Sequence, residues 1–152
     1  MPVVDFGERL RRARIDAGLT QARLAKLAGT SQARVSSYER GSVVPSRATQ
    51  ERLLRAARPL PSAVLARRRA EVKALAARHG LSNVRVFGSV ARGTDTVASD
   101  VDLLVTPSPG TTFFGLAAYA VEVEDLLGCE VDVVSDRALA AMPRIAGEAV
   151  VL

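Results

Sequence analysis

The densest chemistry in the chain lies in residues 86–105, Val-Phe-Gly-Ser-Val-Ala-Arg-Gly-Thr-Asp-Thr-Val-Ala-Ser-Asp-Val-Asp-Leu-Leu-Val. An apolar run (Val84, Val86, Phe87) leads into Gly88-Ser89. Asp100 and Asp102 then bracket Val101 at the head of a second run, Val101 to Val105. Side chains alternate along a strand, so the two carboxylates share one face while Val101 points into the core. Two carboxylates side by side repel each other unless a cation sits between them. Carboxylate oxygens are the ligands Mg2+ prefers, and Mg2+ keeps coordination positions open for substrate phosphates. The stretch therefore reads as a metal site that handles nucleotides.

The elements that must position these groups are legible around it. A short helix is predicted from Val90 to Gly93, which turns backbone N–H groups and the Ser89 hydroxyl towards one space. Gly88 allows a phosphate to come close there. Arg92, one turn further on, could reach a phosphate or a ribose, or pair with an acid. A helix from about Thr112 to Leu127 is expected to pack through Leu116, Ala117, Ala120, Val123, Leu126 and Leu127. The strand Glu130 to Val134 follows, with Asp132 on the face of Glu130 and Val134 and opposite to Val131 and Val133. If that strand lies beside Val101–Val105, Asp132 becomes a third carboxylate next to Asp100 and Asp102. Three carboxylates can hold two Mg2+ ions, one activating the attacking oxygen and one neutralising a triphosphate. Nucleotidyl transfer depends mostly on such positioning and charge neutralisation.

The totals bound what surrounds this site. The chain has 152 residues, enough for one ordinary domain or two small ones. Hydrophobic residues at 48% and charged residues at 24% mark a globular chain, not a disordered one. Aromatics are only 4% with no Trp, so the cores must be built from Ala, Leu and Val. The single cysteine, Cys129, excludes an internal disulfide and fits a reducing cytosol. Just before a strand, it reads as a small buried residue and not a nucleophile. No apolar run reaches the roughly 18 residues of a membrane span, and the first residues lack a signal-peptide pattern. A cytoplasmic protein with no membrane partner is expected.

Charge is unevenly spread. Residues 1–58 hold twelve Lys/Arg against five Asp/Glu, a net of +7, and residues 59–152 hold nine against eleven, a net of −2. Two modules with different partners follow, the basic one being the module for phosphate-backbone contact. In that module Asp5 is placed to cap a helix carrying Phe6, Leu10, Ala13 and Ile15 or Ala17 inward and ending at Gly18. Thr20 caps a helix to Ala28 with Ala22, Leu24, Ala25 and Leu27 as its apolar positions. Ser31 caps a third, Gln32 to Arg40, burying Val35 and Tyr38. After Gly41 and the Pro45-Ser46 turn, Arg47 to Arg58 reads as a helix around Leu53 and Leu54.

The string Thr20-Gln21-x-x-Leu24-Ala25-x-x-x-Gly29-x-Ser31-x-x-x-Val35-Ser36-x-x-Glu39-x-Gly41, followed by Pro45-Ser46, resembles the helix-turn-helix of the Xre/Cro/phage-repressor family across residues 5–58. The resemblance implies that the helix after the turn enters the major groove and reads base edges with its first residues. Gln32, Ala33 and Ser37 would then face the bases, Gln32 suiting an adenine edge and Ala33 a thymine methyl. Gln21 would contact phosphate or brace Gln32. Arg34 and Arg40 would bind phosphates and fix register. Such small domains act as pairs on pseudo-palindromes, so a homodimer is expected, or else a hetero-oligomer of this chain with its partner protein.

Pro59-Leu60-Pro61 interrupts the helical pattern, and residues 59–63 read as a proline-rich joint between domains 1–58 and 64–152. Ser62 is placed to cap one helix carrying Val64, Leu65, Val72, Leu75 and Ala76 and ending near His79-Gly80. Arg67-Arg68-Arg69 reads as its solvated face. His79, at a helix C-terminus, suits a cation favoured by the dipole and not a metal ligand.

Gly88-Ser89, ten residues, Asp100-x-Asp102 and a later-strand Asp132 together resemble the minimal nucleotidyltransferases of the DNA polymerase beta superfamily, in particular the antitoxins paired with HEPN ribonuclease toxins. The likeness runs through Asp125-Leu-Leu-Gly128, Val131-Asp-Val-Val-Ser135, Arg137-Ala-Leu139 and Glu148-Ala-Val150, covering roughly residues 64–152. It implies an α/β (α+β) fold with a short mixed sheet behind the all-α helix-turn-helix bundle. It implies transfer of AMP from ATP to a hydroxyl of a cognate HEPN-type toxin, with release of pyrophosphate. Gly88 and Ser89 would bind the triphosphate, Asp100 and Asp102 both Mg2+ ions, and Asp132 would complete the site and act as base. With operator DNA as second partner, the chain reads as an antitoxin that also represses its own operon. The non-enzymatic alternative is a repressor that neutralises the toxin by binding, its second domain serving as scaffold or nucleotide sensor. Three like charges together argue against a mere scaffold.

Overall fold

A computed structural model describes residues 4–152, which divide into two units, one ending at Pro59 and the other running from Leu60 to Leu152. The first unit is all helix: α1 (Phe6–Asp16), α2 (Gln21–Ala28), α3 (Gln32–Glu39) and α4 (Arg47–Ala56). Three of its helices start where a hydroxyl stands ready. The side chains of Thr20, Ser31 and Ser46 accept from the backbone N–H of Arg23, Arg34 and Thr49, satisfying donors that a helix start leaves orphaned. Asp5 holds the N-cap position of α1 but makes no side-chain cap bond. Gly29 takes φ +68° and ends α2 in the left-handed region, as the tight turn into α3 requires.

The core of this unit is Leu10, Leu24, Ala25, Ala28, Val35, Leu53 and Ala57. Four expectations of burial change. The inward stripe of α2 runs through Leu24, Ala25 and Ala28, which leaves Ala22 and Leu27 outside it and exposed. Ile15 is exposed, and Ala17 is the half-buried residue of that pair. Tyr38 is half-buried, packed against the core from its edge. The part played by Gly7 has no local sequence signal. A Cβ there would lie 2.4 Å from the carbonyl oxygen of Tyr38, so only glycine lets α1 seat on the end of α3.

The second unit runs α5 (Pro61–Arg67), α6 (Arg69–Arg78), β1 (Leu81–Phe87), α7 (Gly88–Arg92), β2 (Val101–Pro107), α8 (Phe113–Leu127), β3 (Val131–Ser135), a 3-10 helix (Asp136–Ala141), α9 (Pro143–Glu148) and β4 (Val150–Val151). The four-stranded mixed sheet has the order β3-β2-β1-β4. β1 is antiparallel to β2 and to β4, whereas β2 and β3 are parallel and joined through α8. Helices α6 and α8 cover one face. Val72, Ala76, Tyr119, Val123 and Leu127, joined by Leu65 of α5, meet Val84, Val86, Val101, Leu103 and Val105 there. The 3-10 helix packs on β2 from the other side and against α9, which in turn meets α7.

The single helix expected over 62–79 is two helices that break at Arg68, and the first starts at Pro61. Ser62 does not cap it. The N-cap position is Leu60, and the backbone N–H of Ser62 donates instead to Asp95 Oδ2 at 2.8 Å. Proline at the first helical position costs nothing there because its N–H would be unbonded anyway. In α8 the expected packing residue Ala117 is exposed, and Tyr119 is fully buried, its hydroxyl donating to the Val72 carbonyl at 3.2 Å. The 3-10 helix, α9 and β4 were not foreseen as elements. His79, expected only to favour the dipole, packs its ring 6.2 Å from that of Tyr119 and places Nε2 3.3 Å from Glu122 Oε1.

Candidate active site

The site assembles at one end of the sheet. Antiparallel pairing of β1 with β2 sets Phe87 opposite Asp102, and parallel pairing of β2 with β3 sets Asp102 beside Asp132. Neighbours in register on a sheet present their side chains to the same face. Asp100 reaches the group from the residue before β2, where the backbone N–H of Val101 donates to the Glu130 carbonyl at 2.9 Å. Ligand oxygens of Asp100, Asp102 and Asp132 lie within 4.8 Å of one another. Asp100 and Asp102 are half-buried and Asp132 is exposed. Val101 between them is fully buried, as strand alternation predicted.

The electrostatics record the strain of this arrangement. Burial, followed by the charges of Asp100 and Asp132, pushes Asp102 up to about 6, against the pull of Arg92, while Glu148 adds a further push. A divalent cation reverses that balance, because an opposite charge favours the ionised carboxylate. Three oxygen donors within reach of one another fit Mg2+, whose ligands are carboxylates, water and substrate phosphates.

The Gly88-Ser89 turn leans directly on this cluster. Gly88 has φ +73°, and a Cβ placed on it would stand 2.2 Å from Asp102 Oδ2. Glycine is thus required twice, by the backbone and by the carboxylate in front of it. Helix α7 begins at Gly88, two residues earlier than expected, and Gly93 closes it in the left-handed region. Beyond it, Thr94 donates its backbone N–H to the Ser89 carbonyl at 3.0 Å, and Ser99 Oγ accepts from Thr96 N at 2.8 Å. These bonds order the loop between the turn and β2. Arg92 pairs with Glu148 of α9. Glu148 is the charged neighbour that residue reasoning missed. Its only sequence signal was the Glu-Ala-Val string at the family's closing position, because α9 itself has no pattern that marks it.

Cys129 is half-buried against the core cluster, and burial raises its thiol above the usual range, helped by Asp100 and Glu124. A thiol held protonated is no nucleophile. On the same sheet face, one step from the carboxylates, Arg85 stands 3.8 Å from Asp136, which accepts from Thr106 Oγ1 at 2.5 Å. That pair links β1, β2 and the 3-10 helix.

In the first unit, Gln32, Ala33 and Arg34 are exposed on α3, Ser37 is half-exposed, and Arg40 is exposed at the helix's C-cap. Ala33, Arg34 and Ser37, with Tyr38 and Val43, line an open groove of about 470 Å³. Gln21 braces Glu39, not Gln32: its amide donates to Glu39 Oε2 at 2.8 Å, and Arg14 Nε donates to Glu39 Oε1 at 2.6 Å. Burial would raise the Glu39 carboxyl, but its bonds from Arg14 and Gln21 outweigh burial and hold it below the usual range. The three residues tie α1, α2 and α3 together behind the exposed face.

Comparison with known proteins agrees with both geometries. Residues 69–148 match the family model of the nucleotidyltransferase domain, and residues 5–58 match that of a helix-turn-helix domain. The chain belongs to the nucleotidyltransferase domain family and carries a helix-turn-helix domain in front of it. It is similar to a protein of Methanocaldococcus jannaschii that bears the provisional name protein adenylyltransferase, 36% identical over 75 residues, which are 48% of this chain and 81% of that protein. It is also similar to a solved structure described, again provisionally, as a minimal nucleotidyltransferase. There the identity is 44% and the TM-score 0.55, over 60% of this chain and 95% of the other. No helix of the described residues is long and apolar enough to cross a membrane.

Proposed function

We propose that the chain is a Mg2+-dependent protein adenylyltransferase that moves AMP from ATP to a hydroxyl of a cognate HEPN-type toxin. In the same reading its helix-turn-helix domain represses the operon that encodes the pair. The observation that carries the enzymatic part is the register Asp102 beside Asp132 with Asp100 in reach, built directly against Gly88. Asp100, Asp102 and Asp132 would hold the metal. Two Mg2+ ions bound there would neutralise triphosphate charge and lower the cost of ionising the acceptor hydroxyl.

The chain's own groups do the rest. Gly88 and Ser89 receive the triphosphate, with the Ser89 hydroxyl as a donor and no side chain at Gly88 to block approach. Arg92, exposed and already carrying positive charge beside the cluster, offsets phosphate charge. Asp132, the carboxylate open to solvent, takes the proton of the incoming hydroxyl. The hydroxyl oxygen bonds to the α-phosphorus of ATP as the bond to pyrophosphate breaks, and pyrophosphate leaves with the displaced electron pair. On α3, Gln32, Ala33 and Ser37 read bases, and Arg34, with Arg40 at the C-cap, holds phosphates. Gln21 acts through Glu39 by fixing how α2 meets α3.

The test is incubation with α-phosphate-labelled ATP, Mg2+ and the product of the neighbouring gene. Wild type should label that partner, and Asp100→Ala should lose the label by at least about 100-fold. Equal labelling by wild type and Asp100→Ala, or none by either, would remove the enzymatic claim.

A further inference from the structure

Helix α8 is apolar on both sides. Leu116, Tyr119, Val123 and Leu127 face the sheet, as a covering helix requires. The opposite stripe should then be polar, yet it holds Phe114, Ala117, Ala118 and Val121, with Phe113 beside it. Phe113 is 77% exposed, Phe114 81% and Val121 56%. The glutamates that flank this stripe are engaged within their own domain. Glu122 lies 3.3 Å from His79, and Glu124 Oε1 accepts from Val131 N at 3.1 Å. Asp125, one turn beyond Val121 on the same stripe, is exposed.

We infer that this stripe is a two-fold interface: α8 packs antiparallel against α8 of a second copy of the chain. A second copy is the occupant because the stripe complements itself. With the two-fold axis between Ala117 and Ala118, Phe114 meets the other copy's Val121, and the two alanines cross at the point of closest approach. Asp125 then faces the other copy's Gly110, two residues before the Thr112 N-cap of its α8. That end lacks both a side-chain cap from Thr112 and any acidic residue in its first turn. A carboxylate is favoured at a helix N-terminus, so each copy supplies what the other lacks.

The area is appropriate for the core of such a contact. A buried phenylalanine removes on the order of 150–250 Å² from water, so two at four-fifths exposure contribute about 300 Å² per copy. A standard interface takes about 800 Å² per partner, with an apolar centre and polar rim. The pairing gives the helix-turn-helix domains the two-copy form that half-sites on DNA call for.

Sedimentation velocity of the full chain tests this without ATP or DNA, so its outcome is separate from the enzymatic reading. Wild type should sediment as a dimer at micromolar concentrations. Phe114→Glu with Val121→Glu should sediment as a monomer with unchanged circular dichroism. As a second measurement, the Phe114→Cys, Val121→Cys double variant should form a covalent dimer on mild oxidation, whereas wild type, whose one thiol is Cys129, should not. A monomeric wild type overturns the inference, and so does a dimer that survives the two glutamates or fails to cross-link. A monomer that loses partner labelling on Phe114→Glu would assign the stripe to the protein substrate instead.

Discussion

Asp102 carries the most chemical consequence per atom. Its folded-state value of about 6 lies above the 3.8 of a free carboxyl, so folding favours the protonated form. The stability this gives is complete below about 3.8 and is lost as pH rises through about 6. Without Mg2+, wild type should therefore lose melting temperature relative to Asp102→Asn between pH 4 and pH 8, measured side by side by calorimetry. Added Mg2+ should restore wild type at pH 8 and raise the asparagine variant, which keeps Asp100 and Asp132, by less. A parallel pH dependence for the two proteins would show that Asp102 is not the stressed group. Gly88→Ala acts on the same oxygen from the other side. With φ +73° and a Cβ 2.2 Å from Asp102 Oδ2, the alanine must displace the carboxylate. A displacement of that order costs about 100-fold in transfer rate, measured as label incorporated, while DNA binding by the first unit stays unchanged. Asp100 and Asp102 were legible because strand parity alone puts them on one face, whereas Asp132 joins them only through the β2–β3 pairing, which parity leaves open. The Glu148–Arg92 pair was not, since 56 residues separate its members and no local periodicity joins them.

Elements were legible where their boundary signals are local. Thr20, Ser31 and Ser46 cap helices three residues before the N–H they bond, so the signal lies within one turn of sequence. The start of α5 finds its side-chain acceptor 33 residues away, in Asp95, so local sequence points to Ser62 instead. Hydrophobic period could not find the break at Arg68 either, because Leu65 and Val72 are both buried and lie seven residues apart, as in one continuous helix. The missed cap makes a prediction. Asp95→Ala should cost about 0.5–2 kcal/mol and lower the melting transition of the second unit by several degrees. Asp95→Asn, which keeps an acceptor oxygen, should restore most of it. No shift for alanine would mean that solvent satisfies the Ser62 N–H equally well. The short 3-10 helix, α9 and β4 were unreadable for a related reason. None is long enough to show a period, and they are held by packing on β2, α7 and β1.

At the scale of the molecule the chain separates its charge as it separates its tasks. The first 58 residues hold a net +7 and the remainder −2, and the cluster of Asp100, Asp102 and Asp132 lies wholly in the acidic part. DNA binding, in the proposed reading, is then a property of the basic unit and should follow counterion release. The logarithm of affinity falls linearly with the logarithm of salt, by about 0.9 per phosphate neutralised. Arg34, exposed on α3 beside the groove that Ala33 and Ser37 also line, is assigned to phosphate. Arg34→Ala should reduce the slope by about 1 and weaken binding to operator and unrelated duplex alike. Gln32→Ala should leave the slope where it is and narrow the preference for operator by about 1–3 kcal/mol. Asp100→Ala, in the other unit, should change neither quantity. Fluorescence anisotropy across a salt series measures all three variants on one plot. A flat response in wild type would refute the assignment of the basic unit to DNA. A slope altered by Asp100→Ala would show that the acidic unit takes part in holding the duplex, so that the two charges act together instead of being kept apart.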